Sequence, residues 1–443
     1  MTGSNQSSSP SPGVSRRRPN FVVVFCDDLG FGDVSLYGEK DIVTPALDAM
    51  ARKGVVLSNF YAAANICTPS RAGLLTGRYP IRTGLGYEVI MQDDDRGLPL
   101  SEITIARALK PEYATGLFGK WHLGHRGPFW PPTRHGFDRF FGIPYSHDMA
   151  PLTLCEAAAG SDEVKTSEVN FPRLQQEFYE HAERFIEDYR DQPFFVLLSL
   201  SAPHLPNHPL PAYAHSSGRG AYGDVVREID DIVGRLIAKL RALGLEDDTL
   251  VIFTSDNGPW FEGSAGHLRD RKGGTGYDGG YHVPFVAQMP GHLPQGVTIA
   301  SIAMAIDLLP TFCRLAGKPL PPAQLDGLDI TEVLLSGQAS PHDEMLLFDN
   351  ETVVGIRTQR WKYLDTAYYR GLRMPLAWMG YDQLYDLSTD PGENYNVGAD
   401  YPDVLADMRA RMKRAKAQFA PLKSREVPPV FAKLKGILDH MQD

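Results

Sequence analysis

Short runs of apolar, β-branched residues recur along the chain and are separated by segments with helical spacing. The runs at 20–26, 194–200 and 250–254 are apolar almost throughout, which is typical of strands buried on both faces of a parallel sheet. Between them, 174–189 and 224–243 place apolar side chains every three or four residues, which predicts amphipathic helices. This alternation predicts an α/β fold in which a mostly parallel sheet is flanked by helices on both faces.

Weaker patterns complete the predicted order of elements. They indicate strands at 55–61, 114–118, 283–289, 352–357 and 361–364, and helices at 44–53, 103–109, 307–315 and 405–419. The stretch 151–169 has no clear period, and we expect it to be an irregular surface segment. The segment 263–284 is rich in glycine and is predicted to form a long loop.

Changes in composition predict how the chain is divided. Residues 1–19 are rich in Ser, Pro and Gly, which predicts a disordered tail. The composition turns polar near 337–341, as it does at many domain boundaries. We therefore predict a large α/β domain at 20–340 and a smaller C-terminal α+β domain at 341–443.

Overall composition narrows the class of protein and its partners. With 443 residues the chain exceeds a single ordinary core, and its net charge of −10 argues against nucleic acid as a partner. The four cysteines are too few and too widely spaced for a disulfide framework, which favours a reducing compartment. The N-terminal segment lacks the apolar core of a signal peptide, and no run approaches the roughly 18 apolar residues of a membrane span. These features predict a cytoplasmic protein that binds neither a membrane nor a nucleic acid.

Oxygen-bearing side chains follow two of the buried strands, at the edge where open α/β sheets bind ligands. Asp27 and Asp28 come directly after the first strand. Asp256 and Asn257 follow the strand at 250–254, and no cysteine and histidine cluster with zinc spacing accompanies them. Oxygen ligands favour a hard cation, Ca²⁺ or Mg²⁺, and Ca²⁺ tolerates ligands that are scattered in sequence. For Asp27 and Asp28 alone, the alternative is a capped turn.

A cysteine stands at the predicted start of a helix in the stretch Asn65–Gly77 (NICTPSRAGLLTG). Cys67 precedes two candidate N-cap residues, Thr68 and Ser70, and a proline suited to the first helical turn. Free N–H groups and the helix dipole attract anions at such a position, and Arg71 adds a positive charge one turn away. We therefore expect Cys67 to lie just before the helix and to face an anion-binding site. The alternative is a buried structural cysteine.

Cationic and imidazole side chains follow other strand ends or lie in the glycine-rich loop. Lys120 and His122 are two residues apart on a segment predicted to be extended, which points both to the same side. Together they suit an anion and a proton transfer. His204 follows the strand at 194–200, and Lys272 lies in the loop, where glycines let the backbone approach a ligand. The alternatives are an exposed lysine, packed or loop histidines, and solvated loop charges.

Four segments of the chain resemble the sulfatase family. They are C-T-P-S-R-A-G-L-L-T-G-R at 67–78, G-K-W-H-L-G at 119–124, F-D-R-F-F-G-I-P-Y-S-H-D at 137–148 and K-G-G-T-G-Y-D-G-G at 272–280. The resemblance implies an alkaline-phosphatase-like fold and the hydrolysis of sulfate monoesters, either aryl sulfates or sulfated sugars. In this family the cysteine that corresponds to Cys67 is oxidised to formylglycine, whose hydrated aldehyde is the nucleophile.

The resemblance also implies a role for each candidate residue. The metal, Ca²⁺ rather than Mg²⁺, is expected to be held by Asp27, Asp28, Asp256, Asn257 and the modified Cys67. The sulfate is expected to contact Lys120, Ser146, His204 and Lys272. Arg71 orients the hydrate, His204 protonates the leaving oxygen and His122 assists at the hydrate, although the two histidine assignments are interchangeable. The implied partners are a small sulfated substrate and a formylglycine-generating enzyme that acts on Cys67.

Two other functions stay open from the sequence alone. A phosphonate or phosphate ester hydrolase of the same superfamily can use the same nucleophile, and a catalytically inactive protein can bind sulfated ligands. The sequence does not name the alcohol part of the substrate. We expect its pocket to be formed by the loop after Gly84 and by the segments 151–169 and 368–379. Aromatic residues there are candidates for stacking on a ring, namely Tyr87, Tyr368, Tyr369 and Trp378.

Overall fold

The computed structural model describes residues 18–369, 372–376 and 382–424. Residues 1–17 of the predicted tail and Trp378 lie outside the described residues. The strands are β1 (Asn20–Asp27), β2 (Val55–Leu57), β3 (Phe60–Tyr61), β4 (Ala114–Lys120), β5 (Arg139–Ile143), β6 (Leu154–Ala158), β7 (Val164–Ser167), β8 (Phe194–Pro203), β9 (Thr249–Ser255), β10 (Phe285–Gln288), β11 (Val297–Ile299), β12 (Ala303–Met304), β13 (Met345–Asp349), β14 (Thr352–Arg357), β15 (Trp361–Leu364), β16 (Thr366–Tyr369), β17 (Leu372–Pro375) and β18 (Gln383–Asp386).

The helices lie between these strands and after them. They are α1 (Pro45–Lys53), α2 (Cys67–Thr76), α3 (Ile105–Ala108), α4 (Leu174–Asp188), α5 (Gly220–Ala242), α6 (Asp278–Tyr281), α7 (Leu308–Ala316), α8 (Thr331–Ser336) and α9 (Pro402–Phe419). Among the described helices, none combines the length and the apolar character needed to cross a membrane.

β1 lies inside a large sheet with the strand order β11-β2-β10-β9-β1-β8-β4-β5-β6-β7. It pairs in parallel with β8 and β9, so that Val22 lies between Val196 and Val251. β4 pairs in parallel with β8 and β5. Antiparallel pairs are found towards the two flanks, where β10 joins β9 and β2 and where β6 joins β5 and β7. The predicted mostly parallel sheet is therefore confirmed.

Alternate residues of β1 pack into two hydrophobic cores, one on each face of the sheet. Phe21, Val23 and Phe25 belong to the core that includes residues of α2, α3 and α7. Val22 and Val24 belong to the core that includes residues of α1, α4 and α5. Because both faces are covered by helices, the strand has no solvent-exposed polar face, which explains its continuous apolar sequence.

A separate antiparallel sheet forms the C-terminal part, with the order β13-β14-β15-β18. The helix α9 packs on β14, and its Met408, Met412 and Phe419 are buried in the same core as Leu347 and Ile356. This is the small α+β region expected after residue 340. The position of the domain boundary itself stays a prediction.

Four segments differ from the sequence-based prediction, and one of them is the loop expected at 263–284, in which Asp278–Tyr281 form α6. The stretch 151–169 is not irregular, because β6 and β7 lie within it and extend one edge of the large sheet. An edge strand pairs on one side only, and β7 has intermediate and exposed residues throughout, so its sequence lacks an apolar pattern. The strand expected at 55–61 is divided into β2 and β3, and the helix expected at 103–109 is confined to α3.

Candidate active site

The helix α2 begins at Cys67 itself, at least two positions earlier than the candidate N-caps Thr68 and Ser70 indicated. Its N-cap is Ile66, which has an extended backbone and no side-chain oxygen with which to cap the helix. Thr68 and Ser70 lie inside the first turn, so the prediction that they are N-caps is wrong. The whole helix is buried and ends at Gly77, whose φ of 66° suits a left-handed C-cap. Cys67 is therefore held at a buried helix N-terminus, with only 2% of its surface exposed.

Cys67 lies against the acidic residues at the ends of β1 and β9. Its Sγ is 3.4 Å from Asp27 Oδ1 and 3.9 Å from Asp28 Oδ1. Asp28 has a left-handed backbone, with a φ of 66°, and its N–H donates to Asp256 Oδ1 at 3.1 Å. One oxygen from each of the three aspartates and the Cys67 Sγ all lie within 4.8 Å of one another. Residues far apart in the sequence converge here, as expected.

Two lysines bind this buried acidic cluster. Lys120 Nζ is 2.6 Å from Asp27 Oδ2, and Lys272 Nζ is 2.7 Å from Asp28 Oδ2. Burial opposes the ionisation of Asp27, but Lys120 and other cationic neighbours hold its pKa well below the usual range. Burial and the nearby Asp27 raise the pKa of Asp256 to about 7, as expected for crowded carboxyl groups. The ion pairs with Asp27 and Asp28 therefore hold both ammonium groups near Cys67.

Arg71 is buried, and its guanidinium is bound by protein groups. Nε and Nη2 donate to Asp256 Oδ2 at 3.0 and 2.8 Å, and Nη2 lies 3.4 Å from Asp27 Oδ1. Nη1 donates to Ser199 Oγ at 2.7 Å and to the Lys120 carbonyl at 3.2 Å. All three guanidinium nitrogens are thus engaged, so Arg71 orients the acidic cluster rather than presenting free donors to an anion.

Ser146 and His204 lie next to the two lysines. Lys120 Nζ is 3.3 Å from Ser146 Oγ, which in turn is 3.4 Å from His204 Nε2. His204 Nε2 also lies 3.7 Å from Asp28 Oδ2, whereas its Nδ1 contacts the Leu205 carbonyl at 2.6 Å. A carbonyl oxygen can only accept, so Nδ1 carries a proton and Nε2 is the nitrogen that faces the site.

His122 is placed differently from the sequence-based expectation. Its φ of 58° ends the extended segment, so Lys120 and His122 do not share one face of a strand as predicted. Its Nε2 donates to the Ile90 carbonyl at 2.9 Å, and its buried Nδ1 has no hydrogen-bond partner among the described residues. Burial, reinforced by Lys120 and Arg71, holds the pKa of His122 well below its usual range. The ring is therefore neutral near pH 7, with a lone pair on Nδ1.

Comparison with known protein families identifies the family of the chain. Residues 19–318 match the family model described as Sulfatase. The chain belongs to the sulfatase family. Residues 275–418 also match a model described as the C-terminal part of N-sulphoglucosamine sulphohydrolase.

Similar sulfatases match most of the chain. Arylsulfatase A of Homo sapiens is 38% identical over 451 residues, which cover 91% of this chain and 88% of that protein. N-acetylgalactosamine-6-sulfatase of Sus scrofa is 36% identical over 416 residues, which cover 86% and 74%. The crystal structure of the PsFucS1 sulfatase from Pseudoalteromonas sp. matches with a TM-score of 0.85 at 27% identity, and the match covers 93% and 92%. These similarities confirm the predicted alkaline-phosphatase-like fold and the assignment as a sulfuric ester hydrolase.

Sulfatases use a bound metal ion, and the residues of the acidic cluster suit a hard cation. One carboxylate oxygen each of Asp27, Asp28 and Asp256 lies within 4.8 Å of the other two. Asn257 donates from Nδ2 to Asp28 Oδ1 at 2.8 Å, while its buried Oδ1 lacks a hydrogen-bond partner in the described part of the chain. Oxygen donors of this kind are the ligands of Ca²⁺ and Mg²⁺. These four residues are therefore able to hold such an ion next to residue 67.

Three residues that contact the site were not predicted from the sequence, namely Ser199, His147 and Trp260. Ser199 is one of two serines within the apolar strand β8, and no spacing rule distinguishes it. His147 is buried, and its ring packs edge-to-face against His204 with 5.6 Å between centroids. The available signal for Trp260 was the aromatic pair Trp260–Phe261, which closely follows Asp256 and Asn257.

The structure places one of the loops that were expected to form the alcohol pocket at the site. The loop after Gly84 reaches the site, because its Ile90 carbonyl binds His122. Tyr368 and Tyr369 lie in β16, where the backbone alone is described. The contribution of these tyrosines to the pocket stays a prediction.

Proposed function

We propose that this protein hydrolyses sulfate monoesters, either aryl sulfates or sulfated sugars, with residue 67 as a formylglycine nucleophile and Ca²⁺ at the acidic cluster. The observation that supports this most is the position of Cys67. Its Sγ lies 3.4 Å from Asp27 at a buried helix N-terminus, in the electrostatic field of Lys120 and Lys272. A formylglycine there supplies a hydrated aldehyde as nucleophile, and the bound ion supplies positive charge for the anionic groups around it.

Lys120, Lys272 and Ser146 bind the sulfate group in this proposal. The two ammonium groups lie on neighbouring carboxylates, and the Ser146 hydroxyl lies 3.3 Å from Lys120. Since their positions are set by the protein, little reorganisation is needed when negative charge shifts on the sulfate oxygens. Arg71 keeps Asp256 in place and acts on the reaction through the acidic cluster.

The two histidines perform separate proton transfers. His122 donates from Nε2 to the Ile90 carbonyl, so its Nδ1 lone pair is the group able to accept a proton from the nucleophile. His204 turns Nε2 towards Ser146 and Asp28, and in its protonated form this nitrogen donates to the leaving alcohol oxygen. Of the two assignments that the sequence left interchangeable, these hydrogen bonds favour this one.

The names of the similar proteins support the substrate class. One relative is named arylsulfatase A and another N-acetylgalactosamine-6-sulfatase, so both aryl and sugar sulfates are suitable candidates. The segment Cys67–Arg71 supports a formylglycine-generating enzyme as the partner that oxidises Cys67. A cytoplasmic location stays a prediction from the sequence.

Comparison of three classes of ester tests the proposal. We expect kcat/KM for para-nitrophenyl sulfate to exceed that for the corresponding phosphate and phosphonate monoesters by at least about tenfold. The Cys67→Ala variant is the control for background hydrolysis. Higher kcat/KM for a phosphate or phosphonate ester would contradict the proposal and favour the related hydrolase activity.

A further inference from the structure

An exposed pair of aromatic side chains follows β9 and its oxygen ligands. Trp260 is 40% exposed and Phe261 is 67% exposed. Their rings touch edge-to-face, with 4.7 Å between centroids and 80° between planes. Two adjacent exposed aromatic residues form an apolar patch, which marks a binding site more often than an isolated exposed residue does.

This aromatic pair is attached to a lysine of the candidate active site. Lys272 Nζ lies 6.0 Å from the centroid of the Trp260 ring and 2.7 Å from Asp28 Oδ2. The Lys272 N–H donates to the Pro259 carbonyl at 3.0 Å, which joins the two backbone segments. A single ammonium group therefore separates the Trp260 ring from the acidic cluster. A sulfate bound to Lys272 has this ring beside it.

Arg271 distinguishes the two aromatic rings. Its Cζ lies 4.9 Å from the centroid of the Phe261 ring, and its Nη1 donates to the Trp260 carbonyl at 3.4 Å. Phe261 thus has one face covered by a guanidinium. Trp260 is less exposed than Phe261, but it is the ring of the pair that lies beside Lys272.

We propose that Trp260 forms the subsite for the alcohol half of the substrate and selects sulfate esters whose alcohol is a ring. This inference rests on the proposed function, because it takes the sulfate to bind at Lys272. The indole face offers a flat apolar surface to an aryl ring or to the apolar face of a sugar ring. An acyclic alcohol has no such surface to match it. Ring contacts of this kind raise affinity by roughly two- to tenfold beyond the effect of buried area.

Binding measurements on the Cys67→Ala background test the subsite without turnover. Calorimetry compares para-nitrophenyl sulfate, a hexose sulfate esterified at a ring carbon, and ethyl sulfate. We expect both ring esters to bind about tenfold more tightly than ethyl sulfate. Adding Trp260→Ala should bring the ratio of the dissociation constant of ethyl sulfate to that of each ring ester close to one. Trp260→Phe should retain part of the preference for the ring esters. Tyr395→Ala removes a 75% exposed aromatic side chain elsewhere and should leave the ratio unchanged.

The results of these binding measurements test the Trp260 subsite separately from the proposed sulfatase activity. A preference for the aryl ester alone, lost in Trp260→Ala, assigns the subsite to aromatic rings, and a preference for both ring esters assigns it to rings in general. Equal affinity for all three esters, or a preference that survives Trp260→Ala, overturns the subsite and leaves sulfate hydrolysis intact. Failure of every sulfate ester to bind overturns both.

Discussion

Arg71 and Asp256 form a buried ion pair in which Nε and Nη2 both donate to Oδ2 of the carboxylate, at 3.0 and 2.8 Å. The other oxygen, Oδ1, accepts the Asp28 N–H at 3.1 Å. The pair thus connects α2, which carries Cys67, to the end of β9. Since the two side chains are only 3% and 0% exposed, removal of either charge leaves the other buried without its partner.

Arg71→Lys should keep the charge but lose the planar geometry of the ion pair. A lysine ammonium cannot reproduce the two hydrogen bonds to Asp256 Oδ2 together with the one to Ser199, so we expect kcat to fall at least about 100-fold. Urea unfolding should show a loss of about 1–3 kcal/mol for Arg71→Lys. Arg71→Met, which leaves Asp256 unpaired, should cost about 3–5 kcal/mol. Wild-type kcat in Arg71→Lys would contradict the role of this ion pair in orienting the site.

Cys67→Ala and Cys67→Ser should both be inactive in hydrolysis. Alanine removes the side chain to be oxidised, and serine lacks the second hydroxyl of an aldehyde hydrate, which is needed to release the sulfate. Turnover assays and mass spectrometry of the tryptic peptide that spans residue 67 measure activity and modification separately. Cys155→Ala changes another buried cysteine, in β6, and should retain activity. Full turnover by Cys67→Ala would refute the proposed nucleophile.

Removal of divalent cations should abolish activity, and Ca²⁺ should restore it better than Mg²⁺. The oxygen ligands come from two distant segments, and Ca²⁺ accepts irregular ligand sets, whereas Mg²⁺ requires near-octahedral geometry. Asp256→Asn should weaken Ca²⁺ binding by at least about tenfold in calorimetry. Asp382→Asn, a change to a carboxylate paired with Arg409 in the C-terminal part, is the control. Undiminished turnover after exhaustive chelation would rule out a catalytic metal.

The position of the acidic cluster followed from the sequence because of a general property of parallel sheets. β1 has β8 and β9 as its neighbours, and the carboxyl ends of parallel strands lie at one edge. Polar residues directly after these three strands are therefore close together, because the strands are adjacent in the sheet. The sequence thus correctly predicted that Asp27, Asp28, Asp256 and His204 lie close together, although the order of the strands could not be predicted.

Features that depend on tertiary contacts could not be predicted in the same way. Thr68 is of a residue type that caps helices, yet its hydroxyl bonds residues 54 and 22 positions away. His122 has a left-handed backbone, with a φ of 58°, although its residue type gives no sign of it in the sequence. β7 lacks an apolar pattern because it is an edge strand, so its pairing with β6 leaves no signal in a local reading of the sequence.

His342 should contribute to stability in a pH-dependent manner through Asp307. Its Nε2 lies 2.8 Å from Asp307 Oδ1, and burial opposes protonation, but the Asp307 carboxylate raises the pKa of His342 above 6.5. Because the folded-state pKa is above the unfolded-state value, the stabilisation is complete below about pH 6.5 and is lost as the pH rises through the folded-state value. The difference in urea midpoint between wild type and His342→Gln should therefore shrink from about pH 6 to about pH 9. A difference that stays constant over this range would contradict the assignment.

Thr68 links α2 to His122 and should affect turnover through that histidine. Its hydroxyl donates to the His122 carbonyl at 2.9 Å and accepts the Ile90 N–H at 3.0 Å, while the Ile90 carbonyl binds His122 Nε2 at 2.9 Å. Thr68→Val keeps the shape but removes the hydroxyl, and we expect kcat to fall about tenfold because the loop that orients His122 loses its hydrogen bond. Thr68→Ser retains the hydroxyl and should stay within about twofold of wild type. If the loss acts through His122, adding Thr68→Val to His122→Asn should slow the enzyme no further, whereas additive losses would show that Thr68 acts independently of His122.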